Sequence, residues 1–363
     1  MNLTIVVGAR PNFMKVAPIL KAFKEKNETL SYPINWELVH TGQHFDERMS
    51  QTFFRQLNIP EPTLNLNAGG GTQAEQTATI MMRFEEYLEK RQIDLVIVVG
   101  DVNSTMACTI AAKKMRTKVA HVEAGIRSGD IGMPEEINRI VTDSISDYFF
   151  TTTAEAALKL KSTISDSQNI YYVGNTMIDT LEQNLPRLTQ PEFWERLKLS
   201  GTPYLVMTMH RPSNVDETQH LEMLMNRILH GCGQHKIIFP IHPRTKKNLD
   251  LSNFDTSKVF FCDPLGYLEF IYLVKHAKGV ITDSGGITEE ASYLNIPCMT
   301  LRENTERPET TTLGTNELVG NDPDKIDFYI QKMINGDWKE GKVPKLWDGK
   351  ASQRIVDIIV QLD

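Results

Sequence analysis

The sequence predicts an α/β protein built of two Rossmann-like, doubly wound domains that face a central crevice. Three observations carry this expectation. Short apolar runs rich in Val, Ile, Tyr and Phe alternate with amphipathic helical stretches, the pattern of βαβ units and parallel sheets. The alternation occurs twice, on either side of a polar, Pro-punctuated stretch. A chain of 363 residues also exceeds what one hydrophobic core usually organises.

The first series of predicted strands is Leu3–Val7, Trp36–Thr41, Leu95–Val99, Val119–Val122, Tyr148–Thr152 and Ile170–Val173. Helical patterns over Val16–Glu25, Gln73–Lys90 and Ser104–Met115 lie between them, each long enough to cross back over a sheet. The second series is Tyr204–Met209, Lys236–Ile241, Val259–Cys262, Gly279–Thr282 and Ile296–Leu301. Between the two series, Gly174-Asn175-Thr176 ends a strand, and Pro186, Pro191 and Pro203 punctuate a polar stretch. The hinge is placed there, giving an N-terminal domain over 1–174 and a C-terminal domain over 175–350. The final segment, 351–363, carries Ile355, Ile358, Ile359 and Leu362 at helical spacing and is expected to dock an apolar stripe on one of them.

Composition narrows the function classes. Hydrophobic residues at 40% and charged residues at 23% give the balance of a soluble globular chain. A net charge of −7 supplies no basic field for a polyphosphate backbone, so no nucleic-acid partner is expected. The run after Met1 is too short for a signal-peptide core or a membrane span and has no basic region before it, which points to the cytoplasm and to no membrane partner. Cys108, Cys232, Cys262 and Cys298 form no C-x-x-C pair and read as packed thiols. Neither a G-x-G-x-x-G fingerprint nor a metal-spaced His/Cys cluster is present, so no redox cofactor and no metal are expected.

Polar clusters come directly after the predicted strands, where open α/β sheets bind ligands. They are Gly8-Ala9-Arg10-Pro11-Asn12-Phe13-Met14-Lys15, Gly42-Gln43-His44, Gly100-Asp101, Glu123-Ala124-Gly125-Ile126-Arg127, His210-Arg211, His242-Pro243-Arg244 and Asp283-Ser284-Gly285-Gly286. The last opens a predicted helix whose freed N–H groups suit a diphosphate, with Glu290 one turn on to reach a ribose diol. Arg10, Lys15, His210 and Arg211 are positive groups at strand ends that suit an anionic substrate. Asp101, Glu123 and Glu135 can act as acid and base once burial or a neighbouring charge moves a pKa. A plainer reading stands beside each: Gly285-Gly286 as turn chemistry, Asp101 capping the helix from Ser104, and Glu135 with Glu136 as first-turn acids.

Taken together, Gly8–Lys15, Val122-Glu123-Ala124-Gly125-Ile126-Arg127-Ser128, Pro134-Glu135-Glu136-Ile137-Asn138-Arg139, Asp283–Glu290 and Thr305-Glu306-Arg307-Pro308-Glu309 resemble the non-hydrolysing UDP-N-acetylglucosamine 2-epimerases. The resemblance runs in the family's order to Gly349–Ile355. It implies the glycosyltransferase-B architecture, return of the C-terminal helix to the first domain, a homodimer and a UDP-sugar substrate. It also implies candidate catalytic residues Asp101, Glu123, Glu135 and His210, and candidate substrate-binding residues Arg10, Lys15, Arg211, His242, Ser284, Gly285, Gly286, Glu290 and Arg307, with Arg10 and His210 facing the leaving diphosphate. Gln43 and His44 resemble part of an allosteric site for a second UDP-sugar. The neighbouring Asn67–Thr72 lacks a Lys or Arg, which predicts weak or absent activation. The family commonly has Arg-Glu-Asn after its His-Arg pair, where this chain has Pro212-Ser213-Asn214.

The chemistry implied is elimination of UDP across C1–C2 to a 2-acetamidoglucal, then re-addition with the proton delivered to the other face of C2. Carboxylates near the ring and basic groups on the diphosphate fit the charges that develop. Three other functions share parts of the pattern: a hydrolysing 2-epimerase, a retaining glycosyltransferase of the same architecture, and a non-catalytic UDP-sugar sensor. Gly8–Asn12 differ from the Gly-Ser-Arg-Ala-Glu of hydrolysing relatives, and the acidic trio argues against the other two.

Overall fold

The computed structural model describes residues 1–43, 53–164 and 168–362, which form two compact units: Met1–Gln183 with Lys345–Asp363, and Asn184–Pro344. Among the described residues, the first unit holds a seven-stranded sheet. Its strands are β1 (Asn2–Val7), β2 (Asn35–His40), β3 (Leu64–Asn65), β4 (Leu95–Val99), β5 (Lys118–Val122), β6 (Tyr148–Thr151) and β7 (Ile170–Tyr172). The order is β3-β2-β1-β4-β5-β6-β7 and every pairing is parallel. The winding reverses between β1 and β4, the place where such sheets open a cleft at their carboxyl edge.

The second unit holds a six-stranded parallel sheet of β8 (Tyr204–Thr208), β9 (Lys236–Pro240), β10 (Val259–Cys262), β11 (Gly279–Thr282), β12 (Cys298–Thr300) and β13 (Asn316–Leu318). Its order is β10-β9-β8-β11-β12-β13, with the reversal between β8 and β11. Helices cover both faces, which is why the central strands are apolar almost throughout: Leu95–Val99 and Gly279–Thr282 are buried at every position. The α/β, doubly wound class read from the sequence is the observed one. Two of the four edge strands, β3 and β13, escaped the sequence reading, because two or three residues of mixed polarity carry no alternation.

Two helices start or dock where periodicity alone did not place them. The first helix runs Arg10–Asn27, so Arg10 to Lys15 lie in its opening turns rather than in a loop before Val16. Pro11 stands near its start, where its missing N–H is harmless, and the Asn12 side chain accepts from the N–H groups of Gly8 and Ala9 at 3.1 Å each. The helix Thr176–Asn184 belongs almost wholly to the first unit, beyond the Gly174 boundary, because Met177, Ile178 and Leu181 are buried.

The C-terminal helix, Ala351–Ile359, packs on Arg10–Asn27 through buried Ile355, Val356 and Ile359 and the Lys26–Asp357 pair at 2.7 Å. Its first turn is held by fully buried Asp179, whose carboxylate accepts from the N–H groups of Ala351 at 3.1 Å and Ser352 at 2.6 Å. Removing that carboxylate leaves two buried donors without an acceptor. Asp179→Ala is therefore expected to lower stability by about 1–3 kcal/mol in urea titrations, and Asp179→Asn, which keeps one acceptor oxygen, by less; an unchanged midpoint for the alanine variant would contradict this.

Candidate active site

Close packing at the carboxyl edge of the first sheet begins at Gly8. A Cβ there would lie 1.9 Å from Ser104 Oγ and 2.6 Å from Thr41 Oγ1, so only glycine lets the ends of β1 and β2 meet the helix Asn103–Lys114. Asn12 ties the same turn to β4 by donating to the Val99 carbonyl at 2.9 Å. One turn on, Lys15 is turned inward and its Nζ sits 2.5 Å from Glu123 Oε2, both side chains buried. Gly100 has φ +71°, and a Cβ on it would come within 3.1 Å of Lys15 Nζ. Glu123 itself lies at φ +73°, a conformation that costs a non-glycine residue about 1–2 kcal/mol. It is held there by its own N–H and that of Ala124, both donating to the Phe150 carbonyl.

Asp101 comes after Gly100 and pairs with Arg139 on the helix Pro134–Ile145. It does not cap the next helix: Val102 is the cap residue and no side chain bonds there. Arg139 also holds Glu136 at 3.0 Å, and Glu136 accepts from the N–H groups of Ser128 at 2.8 Å and Gly129 at 3.0 Å. Burial pushes the Glu136 carboxyl up, but these two N–H groups and Arg139 outweigh it and hold it low. Asn138 donates to the Asp101 carbonyl at 2.8 Å. Asn138 and Arg139 thus bind the helix to the Asp101 loop and Glu136 binds it to Ser128 and Gly129, while Glu135 stands half-buried in the first turn.

A second buried pair lies behind this edge. His121, in β5, has Nδ1 2.7 Å from Asp143 Oδ1 and Nε2 2.8 Å from the Gly100 carbonyl. Asp143 Oδ2 accepts from Gly125 N–H at 3.1 Å and from Arg127 at 2.6 Å. Neither His121 nor Asp143 was singled out in the sequence, since each sits inside a run that reads as strand or helix.

Arg10 places its guanidinium 4.3 Å from the centre of the Phe53 ring. Gln43 Oε1 accepts from the Ser104 N–H and hydroxyl, at 3.0 and 2.6 Å, so its side chain is occupied at a helix start. His44 lies outside the described residues. The stretch after Leu66 gains a cation from a distance: Arg83 donates to the carbonyls of Leu66 and Asn67 at 2.6 and 2.7 Å.

In the second unit the organiser is Asp283, fully buried at the end of β11. It accepts from the N–H groups of His210 and Arg211 and from the Asn214 side chain, and pairs with His210 Nδ1 at 2.9 Å. Burial pushes its carboxyl up, and His210 with the two backbone N–H groups overcomes that and holds it below the usual range. The His210 and His242 rings, after β8 and β9, lie 6.1 Å apart. His242 Nδ1 accepts from Arg244 N–H at 3.2 Å.

Ser284 caps the helix Gly285–Tyr293 in position only, making no side-chain capping bond, so the N–H groups of its first turn, Gly285 and Gly286 among them, have no side-chain partner from Ser284. Further along, Glu290 is buried against Tyr267, whose phenol is pushed far up by burial and then by the Glu290 charge. Arg307 is also buried, its Nε 2.7 Å from Glu289 Oε1. Arg302 grips Glu306 with two bonds of 2.9 Å, and Arg211 approaches the same carboxylate at 3.8 Å. Among the described residues no helix is long and apolar enough to cross a membrane.

Comparison with known proteins bears on this geometry. A model of the UDP-N-acetylglucosamine 2-epimerase family matches residues 28–360. The UDP-N-acetylglucosamine 2-epimerase of Methanocaldococcus jannaschii is 41% identical over 99% of each chain. The UDP-2,3-diacetamido-2,3-dideoxy-D-glucuronate 2-epimerase of Pseudomonas aeruginosa is 36% identical over 100% of each. Among solved structures, that of the M. jannaschii enzyme in complex with UDP-GlcNAc and UDP gives a TM-score of 0.87 at 41% identity, covering 99% of both chains. The Neisseria meningitidis UDP-GlcNAc 2-epimerase bound to UDP-GlcNAc gives 0.88 at 27% identity, covering 100% of both.

The lowered Asp283 carboxyl makes a pH prediction. A depressed folded-state pKa stabilises the protein above the unfolded carboxylate value, about 4, and that stabilisation is lost as pH falls through the lower folded value. The stability gap between wild type and Asp283→Asn in urea titrations should be widest near neutral pH and close on acidification. A gap independent of pH would contradict the assignment of His210 and the backbone N–H groups as the cause.

Proposed function

The chain belongs to the UDP-N-acetylglucosamine 2-epimerase family and is an epimerase, and on that premise we propose that it interconverts UDP-N-acetylglucosamine and UDP-N-acetylmannosamine without hydrolysing either. The C2 hydrogen of an N-acetylhexosamine is not acidic enough for simple removal. The reaction instead breaks the C1–O bond, UDP leaving with the electron pair as a base takes the C2 proton, to give the 2-acetamidoglucal. UDP then adds back as a proton is delivered to the opposite face of C2, so atoms and charge balance.

What supports this reading is the set of carboxylates gathered at one sheet edge: Glu123 against Lys15, Asp101 against Arg139, and Glu135 on the same helix as Arg139. We assign Asp101, Glu123 and Glu135 to proton transfer and to stabilising positive charge on the ring. The strained backbone at Glu123 supports a role for that residue, because strain held at one point in a well-packed edge is typical of functional sites. In the second unit, the first turn of Gly285–Tyr293 is assigned to the diphosphate, with Ser284, His210, Arg211 and His242 as further contacts. Arg10 keeps its assignment to the leaving diphosphate. Arg307 and Glu290 keep their assignment to the substrate, Glu290 to the ribose diol, from buried positions beside Glu289 and Tyr267. The proposed assembly is a homodimer, which sedimentation of the purified chain tests.

Identity of 41% to an enzyme of UDP-N-acetylglucosamine against 36% to one of a diacetamido-uronate favours the former substrate. Both compounds keep the UDP and the 2-acetamido group, so both belong in the assay. In deuterated water with no nicotinamide, UDP-N-acetylglucosamine should yield UDP-N-acetylmannosamine, and recovered substrate and product should carry deuterium at C2. Asp101→Asn, Glu123→Gln and Glu135→Gln should each lower turnover about 100-fold or more while UDP still binds. Release of free N-acetylmannosamine, turnover of the uronate alone, or near-normal rates in all three variants would overturn the respective parts of the proposal.

A further inference from the structure

Of the buried polar groups at the first sheet's edge, His121 and Asp143 touch no residue assigned to the sugar, yet they bridge the two loops that carry Asp101 and Glu123. His121 is fully buried. Its Nε2 lies 2.8 Å from the carbonyl of Gly100, the residue before Asp101. Its Nδ1 lies 2.7 Å from Asp143, whose other oxygen takes the N–H of Gly125, two residues after Glu123. Arg127 closes the arrangement, donating to Asp143 at 2.6 Å and to the Ile126 carbonyl at 2.8 Å.

The partners of the ring decide its state. A backbone carbonyl only accepts, and so does a carboxylate, which the Arg127 guanidinium at 2.6 Å and the Gly125 N–H at 3.1 Å hold in its charged form. A neutral imidazole has one N–H and would point a lone pair at one of these two oxygens at hydrogen-bond distance, in a buried setting that strengthens the repulsion. Both bonds form only if both ring nitrogens carry protons.

We propose that His121 is a positioning residue that donates from both ring nitrogens, clamps the Asp101 loop to the Glu123 loop and so fixes the spacing of those two carboxylates. This rests on the reading of Asp101 and Glu123 as the groups that act on the sugar. The charge itself belongs to the device: the cation anchors Asp143, and Asp143 in turn orders Gly125 and Arg127.

Neutron diffraction from crystals of the wild-type protein reads the ring directly, and deuterons on both His121 nitrogens are expected; a single deuteron overturns the imidazolium. Kinetics read the positioning role. His121→Gln and Asp143→Asn should each lower kcat about ten- to a hundredfold through misplaced carboxylates, with KM for the UDP-sugar and Kd for UDP within about twofold of wild type, and the double variant should be no slower than the worse single one. A loss seen in KM and Kd instead, or multiplying penalties, overturns the clamp. If neither variant folds, the neutron result still decides the charged state, and Arg127→Lys, at the rim of the cluster, takes their place with the same expected split. The failure of the carboxylate reading shows elsewhere, in near-normal rates for the Asp101 and Glu123 variants; a doubly protonated His121 with unchanged kcat in His121→Gln overturns the positioning role alone.

Discussion

The contact between Lys15 and Glu123 sets the terms for the first unit's carboxyl edge. A buried carboxylate with no partner is too costly to keep charged, and removing one member of a buried pair typically costs about 3–5 kcal/mol. Bringing Lys15 to Glu123 requires the first helix to begin at Arg10, shortly after β1, so that its second turn reaches past Gly100, after β4, to the end of β5. It requires a residue without a side chain at position 100, and a backbone at Glu123 that turns the wrong way for most residues. Asn12, donating to Val99 and accepting from Gly8 and Ala9, fixes that start.

The same logic recurs with different partners. Asp101 has Arg139, Glu136 has Arg139 and two backbone N–H groups, and Asp143 has His121 and Arg127. In the second unit Asp283 combines the His210 ring with the backbone N–H groups of His210 and Arg211, so it shapes a loop as well as holding a charge. In both units one of these groups follows a strand at the reversal of order, Asp101 after β4 and Asp283 after β11, the place where open parallel sheets bind ligands. A parallel sheet can hold strained, charged loops at one edge because its strands are packed in apolar core along their length.

Much of this was legible in the sequence, for identifiable reasons. Leu95–Val99 and Gly279–Thr282 are covered on both faces, so they stand out as short, largely apolar runs. Edge strands Leu64–Asn65 and Asn316–Leu318 lack such a signal. The helical pattern was legible only from Val16, where apolar residues recur, although the helix opens at Arg10. The least legible features were partnerships: Arg139 meets Asp101 from 38 positions away and Arg83 reaches Asn67 from 16. His121 hides in an apolar strand, where its two acceptors become visible only once β4 and the helix Pro134–Ile145 are in place.

On the proposed reading Lys15 and Glu123 act as one unit, the cation placing the carboxylate, and the role proposed for Glu123 depends on that contact. A double-mutant cycle in kcat tests this most directly. With Lys15→Met, Glu123→Gln and the pair combined, the double variant should turn over no more slowly than Glu123→Gln alone, because the lysine has nothing left to hold. Penalties that multiply across the two positions would show independent roles and contradict the single unit.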